Sequence, residues 1–376
     1  MAYSFLALAV SPVQASDDDI RDALLRINED SMMADVEQLV AFDTRFTGSD
    51  SNWAAVAWIV ERFESMGYSA RLDSFEVNIS RRANENDYIF SGLTQVNVVA
   101  TRTGILSPQR KIVLGAHYDS ISLDRPQSGQ GVAPGADDNA SGVAAILEIA
   151  RVMKDLSLGM SVDFVMFGAE ELGLIGSAAY AHDAREAGEE IVLMMGIDVI
   201  GTRSTVFPNA FTLNTSNPNV SLAEQFADAA ETFTTVFSRD GTSNARLMVS
   251  PVGCRCSDHQ SFLDRGYPAI GVFQFFTNPA EHINMSFDTI DKVDIVYAVE
   301  ITRAIMAGAL KIAGFPSQSP DFDGSGTVDF SDFLIFADVF GSDFLEPDEE
   351  RFDLDGDGAV GFSDFLLFSE SFGRTL

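Results

Sequence analysis

Residues 161–181 read SVDFVMFGAEELGLIGSAAYA, and the character of the whole chain turns on them. Val162, Phe164, Val165, Met166 and Phe167 form a mostly apolar run bounded by glycine, the pattern of a buried strand, and Leu172 to Ala181 read as the entry to a helix. Glu170 and Glu171 therefore leave the end of a core strand side by side. Burying a carboxylate is costly unless it is paired or ligates a cation, so two neighbours suggest a cation between them. The plain alternative is a solvated acidic helix start favoured by the helix dipole.

Further strand-like runs lie at SARLDSFEV (69–77), QVNVVATRTG (95–104), KIVLGAHYDS (111–120) and IVLMMGIDVIG (191–201), with a helical run at SGVAAILEIARVMKD (141–155). Upstream, Asp18–Phe42 and Ser51–Met66 carry helical periodicity, with Trp53, Val56, Ile59, Val60 and Phe63 on one side of the second segment. Strands alternating with helices of about ten or more residues predict an α/β fold, a central mostly parallel mixed sheet flanked by helices. Ligands of such sheets sit at the carboxyl ends of the strands. His117 and Asp119 follow Ile112-Val113-Leu114, Asp137 and Asp138 occupy the Gly-rich PGADDNASG, and Asp198 ends the run 191–197. Together with Glu170 and Glu171 they fall on one predicted edge.

The net charge of -32, with lysine only at 111, 154, 292 and 311, excludes nucleic acid and anionic membrane surfaces as partners, because phosphate binding needs clustered bases. The start, MAYSFLALAVSPVQASDDD, has an apolar core from Phe5 to Val10 and a small-residue site at Val13-Gln14-Ala15, so residues 1–15 read as a secretory signal and the protein as secreted or attached to the cell surface. No later segment offers about eighteen uninterrupted apolar residues, so no transmembrane helix is expected. Cys254 and Cys256 form a C-x-C that is either bridged or a free, metal-binding pair.

The blocks TRFTGSDSN, GAHYDS, PGADDNASGVA, FGAEELGLIGS, GIDVIG, CSDHQSF with GYPAI, and EHINMSFDT follow one another between Thr44 and Gly314. In that order they resemble the secreted bacterial leucyl-type di-zinc aminopeptidases, peptidase family twenty-eight. The resemblance implies a zinc-exopeptidase fold and hydrolysis of N-terminal residues of peptides through a metal-bridging hydroxide. It implies that Asp137 bridges two zinc ions, that His117 and Asp198 complete one site and Glu171 and His282 the other, that Glu170 is the general base, and that Asp119 orients His117. Two departures stand out. The last His of the family normally precedes an Asp-Thr pair by four residues, whereas His282 precedes Asp288 by six, which makes Glu281 and His259 reserve ligands. Where relatives often carry a Tyr that stabilises the oxyanion, the residue between the cysteines is Arg255, the candidate for that role here.

At GFPSQSP (314–320) the peptidase-like region, 16–313, gives way to a linker, and 321–376 contain a gapless repeat at a spacing of 32 residues. DFDGSGTVDFSDFLIFADVFG and DLDGDGAVGFSDFLLFSESFG each carry a twelve-residue calcium-loop pattern. Its ligand positions are Asp321, Asp323, Ser325, Thr327 and Asp332 in the first copy, and Asp353, Asp355, Asp357, Ala359 and Asp364 in the second. The tail carries -13 of the total charge. It resembles a dockerin, a small all-α, EF-hand-like module that binds two calcium ions and attaches to a cohesin or cell-surface partner. Phe-Ser at positions 10 and 11 departs from the Ser-Thr of many cohesin-binding members. Phe333, Phe336 and Phe340, like Phe365, Phe368 and Phe372, are expected to form a shared core.

Besides the aminopeptidase, the pattern admits a carboxypeptidase or a single-zinc glutaminyl cyclase on the same scaffold, or an inactive calcium-dependent adhesion or scaffold protein.

Overall fold

The computed structural model describes residues 17–83, 86–124, 131–234, 244–250, 254, 256–276, 281–314, 320–323, 325–342, 349–354 and 359–373. The signal expected at 1–15, most of the linker, Arg255, Asp355 and Asp357 lie outside them.

Among the described residues eight strands form one sheet: β1 (Arg71–Ala83), β2 (Asn86–Arg102), β3 (Ser107–His117), β4 (Met160–Phe167), β5 (Glu190–Ile197), β6 (Ala210–Ser216), β7 (Asn244–Ser250) and β8 (Ala269–Gln274), in the order β1-β2-β4-β3-β5-β8-β6-β7. The middle four, β4, β3, β5 and β8, are parallel, as expected. The margins are not. β1 pairs antiparallel with β2, and β2 with β4, because β1 and β2 follow too closely in sequence for a crossover. β6 is antiparallel to β8 and parallel to β7.

The described residues also form α-helices α1 (Asp17–Leu25), α2 (Glu29–Val40), α3 (Asp50–Ser65), α4 (Ser141–Met153), α5 (Ile175–Glu186), α6 (Val220–Phe233), α7 (His259–Leu263), α8 (Ile295–Ala313), α9 (Phe330–Val339) and α10 (Phe362–Ser371). Alternation along the strands splits the core into two layers. Ile112 and Leu114 of β3 and Val162, Phe164 and Met166 of β4 face a large cluster with α2, α4, α6 and α8. Val113, Val165 and Phe167 face a smaller one with Tyr180, Ala181 and Ala184 of α5 and Phe262 of α7. Every residue of β4 is buried, which is why it reads as a mostly apolar run, and its one charge, Asp163, is paired with Lys111 at 3.0 Å.

Two helix expectations shift. In α3 the buried face is Asn52, Ala55, Val56, Ile59 and Phe63, and Trp53 is 38% exposed. Asn52 takes the inward place because its Nδ2 donates to the Arg45 carbonyl at 2.7 Å. The helix after β4 starts at Ile175 rather than Leu172, since Gly173 and Leu174 first turn through left-handed backbone.

In the tail, α9 and α10 enclose their own cluster of Phe322, Val328, Phe336, Phe352, Leu354, Val360, Leu367 and Phe368. The Phe336 and Phe368 rings stack at 5.5 Å. Phe333 and Phe365 are partly buried, but Phe340 and Phe372 are 48% and 50% exposed, so the repeated aromatics are not all core. Leu106, at the approach to β3, packs on this cluster, and Ser371 Oγ donates to the Ile105 carbonyl at 3.4 Å.

Candidate metal centre and catalytic site

The parallel strands end where their chemistry begins. β3 delivers His117 as its last residue, β5 is followed by Asp198, and the turn after β4 carries Glu170 and Glu171. That turn starts at Ala169, at φ 57°, so the strand has reversed by Glu170 and both carboxylates face the same site. Ligand atoms of His117, Glu170 and Asp198 lie within 4.8 Å of one another, and so do those of His117, Asp138 and Glu171. His117 Nε2 is 3.2 Å from Asp198 Oδ1 and 3.2 Å from Asp138 Oδ1.

The loop before α4 presents Asp138 to this cluster, and Asp137 points away. Asp138 has extended backbone, φ -113° and ψ 91°, and consecutive side chains on extended backbone point to opposite sides. The Asp137 carboxylate accepts from Gly201 N at 2.7 Å and Gln274 Nε2 at 2.8 Å, with His282 Nε2 also at 2.8 Å. The place in the cluster expected for Asp137 is thus taken by Asp138. His282 is likewise engaged elsewhere, with Asp137 and with Thr202 Oγ1 at 3.2 Å.

Asp119 sets the glutamate pair more than it sets His117. Its two carboxylate oxygens accept from Glu170 N at 3.0 Å and Glu171 N at 3.2 Å. His117 Nδ1 lies 3.1 Å from the Asp119 backbone carbonyl and 3.7 Å from its carboxylate. A donor at Nδ1 leaves the Nε2 lone pair toward the cluster, which is the tautomer a metal ligand needs.

Electrostatics mark a set of donors lacking positive charge. Burial, then the Asp258, Asp198 and Asp119 charges, push Glu170 well above the usual carboxylate range despite His117. Burial followed by Asp138 and Glu170 does the same to Glu171. Burial draws the His117 imidazole down, yet Glu170 and Asp198 outweigh it and hold the ring well above its ordinary value. Asp258, buried behind Glu170, is pushed up to about 7, chiefly by burial. One imidazole nitrogen amid four carboxylates is the chemistry of a divalent-cation site, and zinc accepts both donor types.

Arg45, a fully buried cation, is committed to backbone carbonyls. Its guanidinium donates to the carbonyls of Tyr118, Leu39, Pro134 and Gly135 at 2.5–3.1 Å, tying the loop before Asp138 to the end of β3. Gly135 has φ 55°, and a Cβ there would meet Asp138 O and Arg45. Arg45→Ala leaves buried carbonyls unpaired at about 1–3 kcal/mol each, so a clear drop in melting temperature is expected. An unchanged thermal transition would remove Arg45 from this role.

Above the cluster opens a cavity of about 470 Å³, with Leu174, Val199, Phe273, Phe276 and Ile283 as its apolar wall. Cys254 and Cys256, joined by a disulfide, form part of the rim. Leu174, Val199 and Asn284 adopt left-handed backbone at this rim, a concentration of strained residues of the sort that gathers at functional sites. His259 is fully buried behind Asn214 of the lining rather than in the cluster: burial holds its ring down to about 4, and Nε2 lies 3.2 Å from Asn214 Oδ1.

Residues 97–309 match the family model described as peptidase family M28. The chain belongs to that family. The M28 chain is 27% identical to a probable leucine aminopeptidase of Arthroderma otae, over 78% of this chain and 76% of that protein. It is 28% identical to a probable zinc metalloprotease of Pyrenophora tritici-repentis, over 85% and 82%. Among solved structures, the LapA aminopeptidase of Legionella pneumophila shares its fold at a TM-score of 0.62 and 21% identity, covering 82% of this chain and 78% of that one.

Asp138 is placed on the predicted edge by its sequence but not singled out there as a donor, and Asn284, whose amide lies against Glu171, is missed. Counting four residues back from Asp288 lands on Asn284, and that spacing was the available signal.

In the tail, Asp321, Asp323 and Asp332 converge within 4.8 Å. Backbone amides point at their carboxylates, Ser325 N and Gly326 N at Asp321 and Asp323 N at Asp332. Ser325 Oγ turns to the Thr327 carbonyl. In the second loop Asp364 is buried and accepts from Gly361 N, and Asp353 and Ala359 also lie among the described residues.

Proposed function

We propose that this M28 chain is a zinc-dependent aminopeptidase that removes N-terminal residues from peptides, with two cation positions in one centre. The observation that carries it is the convergence of His117, Asp138, Asp198, Glu170 and Glu171 at the carboxyl edge of the parallel strands, beneath an open apolar pocket. His117, Asp138, Asp198 and Glu171 would hold the cations. Zinc bound there supplies Lewis acidity, polarising the scissile carbonyl and bringing the pKa of a water to about 7. Glu170, fixed through its amide on Asp119, takes a proton from the attacking water and returns it to the leaving amine. The carboxylates attract the ammonium of a free amino terminus, and the wall of Leu174, Phe273 and Ile283 receives an apolar first side chain.

The test is a panel of aminoacyl-arylamides and their N-acetyl counterparts, with and without a chelator. Cleavage is expected for free amino termini bearing apolar residues, with loss on chelation. Equal cleavage of the blocked substrates, or cyclisation without hydrolysis, would count against an aminopeptidase.

Export is supported by the apolar start and by the Cys254–Cys256 disulfide, since such bonds persist in oxidising surroundings. We also infer that the tail binds calcium through Asp321, Asp323 and Asp332 and their repeats. Calcium chelation should make the region after Gly314 cleave faster in limited proteolysis of the full chain. Asp332→Ala should do the same with calcium present. Identical digestion patterns with and without calcium would end this reading.

A further inference from the structure

The donors at the two cation positions are unequal. The chain has four histidines, and only His117 reaches the centre. His282 lies on Asp137, His259 on Asn214, and His182 on an exposed turn of α5. Both cysteines are spent on each other. A single imidazole nitrogen, Nε2 of His117, therefore serves the whole centre, and its lone pair binds one ion.

The position beside Glu171 meets oxygen instead. The Asn284 amide, with its NH2 toward the carboxylate, donates to both Glu171 oxygens at 2.5 and 2.9 Å. Its segment is held from several sides. The Asn284 carbonyl accepts from Leu123 N at 2.8 Å, Asp124 accepts from Ser286 N and Oγ, and Asp288 accepts from the amides of Asp137 and Asp138. Turning the terminal amide over presents Oδ1 at the same place without moving the backbone, since the two ends of the group have nearly the same shape.

We propose that the second cation position is an oxygen-only site formed by Asp138, Glu171 and the Asn284 carbonyl oxygen, which takes a harder, exchangeable divalent ion of the manganese class while the position of His117 and Asp198 retains zinc. Carboxylate and amide oxygens suit magnesium, calcium and manganese, whereas imidazole favours zinc. The centre is then hetero-dinuclear, and its second ion is gained and lost with the surrounding concentration. This rests on the metallopeptidase reading above.

The experiment measures metal content and Mn²⁺ binding on the full chain, with circular dichroism to confirm folding of each variant. After dialysis the unaltered chain is expected to keep one zinc and to bind Mn²⁺ reversibly by calorimetry and electron paramagnetic resonance, one ion more than Asn284→Ala takes up through its tail loops at the same Mn²⁺ concentration. Asn284→Ala should weaken Mn²⁺ by roughly 100-fold, the upper range for residues that merely orient a ligand, and leave the zinc in place. Asn284→His should convert the chain to two retained zinc ions, and His282→Gln should leave Mn²⁺ affinity as it was. Two zinc ions retained by the unaltered chain, one zinc without Mn²⁺ uptake, or uptake indifferent to Asn284→Ala would each overturn the assignment. A folded chain that retains no zinc would instead defeat the zinc reading itself.

Discussion

Glu170→Gln is expected to lower kcat/KM on an aminoacyl-arylamide by about 10²–10⁴-fold, the range for losing a positioned general base, with metal content unchanged. The amide keeps the size and backbone anchoring of the glutamate, since the Glu170 N–H bond to Asp119 does not involve the side chain. It cannot take a proton from water. Because Glu170 also lies within 4.8 Å of His117 and Asp198, metal analysis separates two roles. Loss of zinc along with activity would make Glu170 a ligand, and unaltered turnover would leave it without a part in the chemistry.

The second large effect separates the two aspartates of PGADDNASG. Asp138→Ala should reduce metal affinity by more than about 100-fold, beyond the loss seen on removing a group that only supports a ligand. Asp137→Ala should do something different. It strands Gly201 N and Gln274 Nε2 and leaves His282 with Thr202 alone, with a cost of about 1–3 kcal/mol for each buried group left unpaired, so the melting temperature falls while the cluster of His117, Asp138 and Glu171 keeps its donors. Metal content and thermal unfolding on the same pair of variants check both statements. If Asp137→Ala proved metal-free and Asp138→Ala metal-replete, the bridging place would return to Asp137.

What the residues alone reveal here follows from how each position is dictated. The buried strand at 160–167, the parallel centre and the edge carrying His117, Asp198 and the Glu pair are legible because strand burial writes apolar runs, and parallel strands put their polar ends on one side. The antiparallel margins are not legible from alternation, which is the same for either pairing direction. The choice between Asp137 and Asp138 depends on one extended residue, at which consecutive side chains face opposite ways, and composition carries no trace of which of the two turns inward. Asn284 was hidden for another reason. A histidine two residues earlier is the more usual ligand type, yet the anchoring of Asp288 on the amides of Asp137 and Asp138 fixes the register of the loop from its far end. Asp119 was recognised as a supporting acid, but its true burden, the two glutamate amides, is visible only once the turn at Ala169 is seen.

The packing of Leu106 against the tail cluster has a consequence for how such a molecule works in place. Leu106 precedes the first residue of β3 and His117 is the last, so the tail and the catalytic mouth belong to opposite poles of the sheet, one strand length apart. Whatever touches the tail pole therefore lies a strand length away from the cavity, and the approach to the cavity stays open.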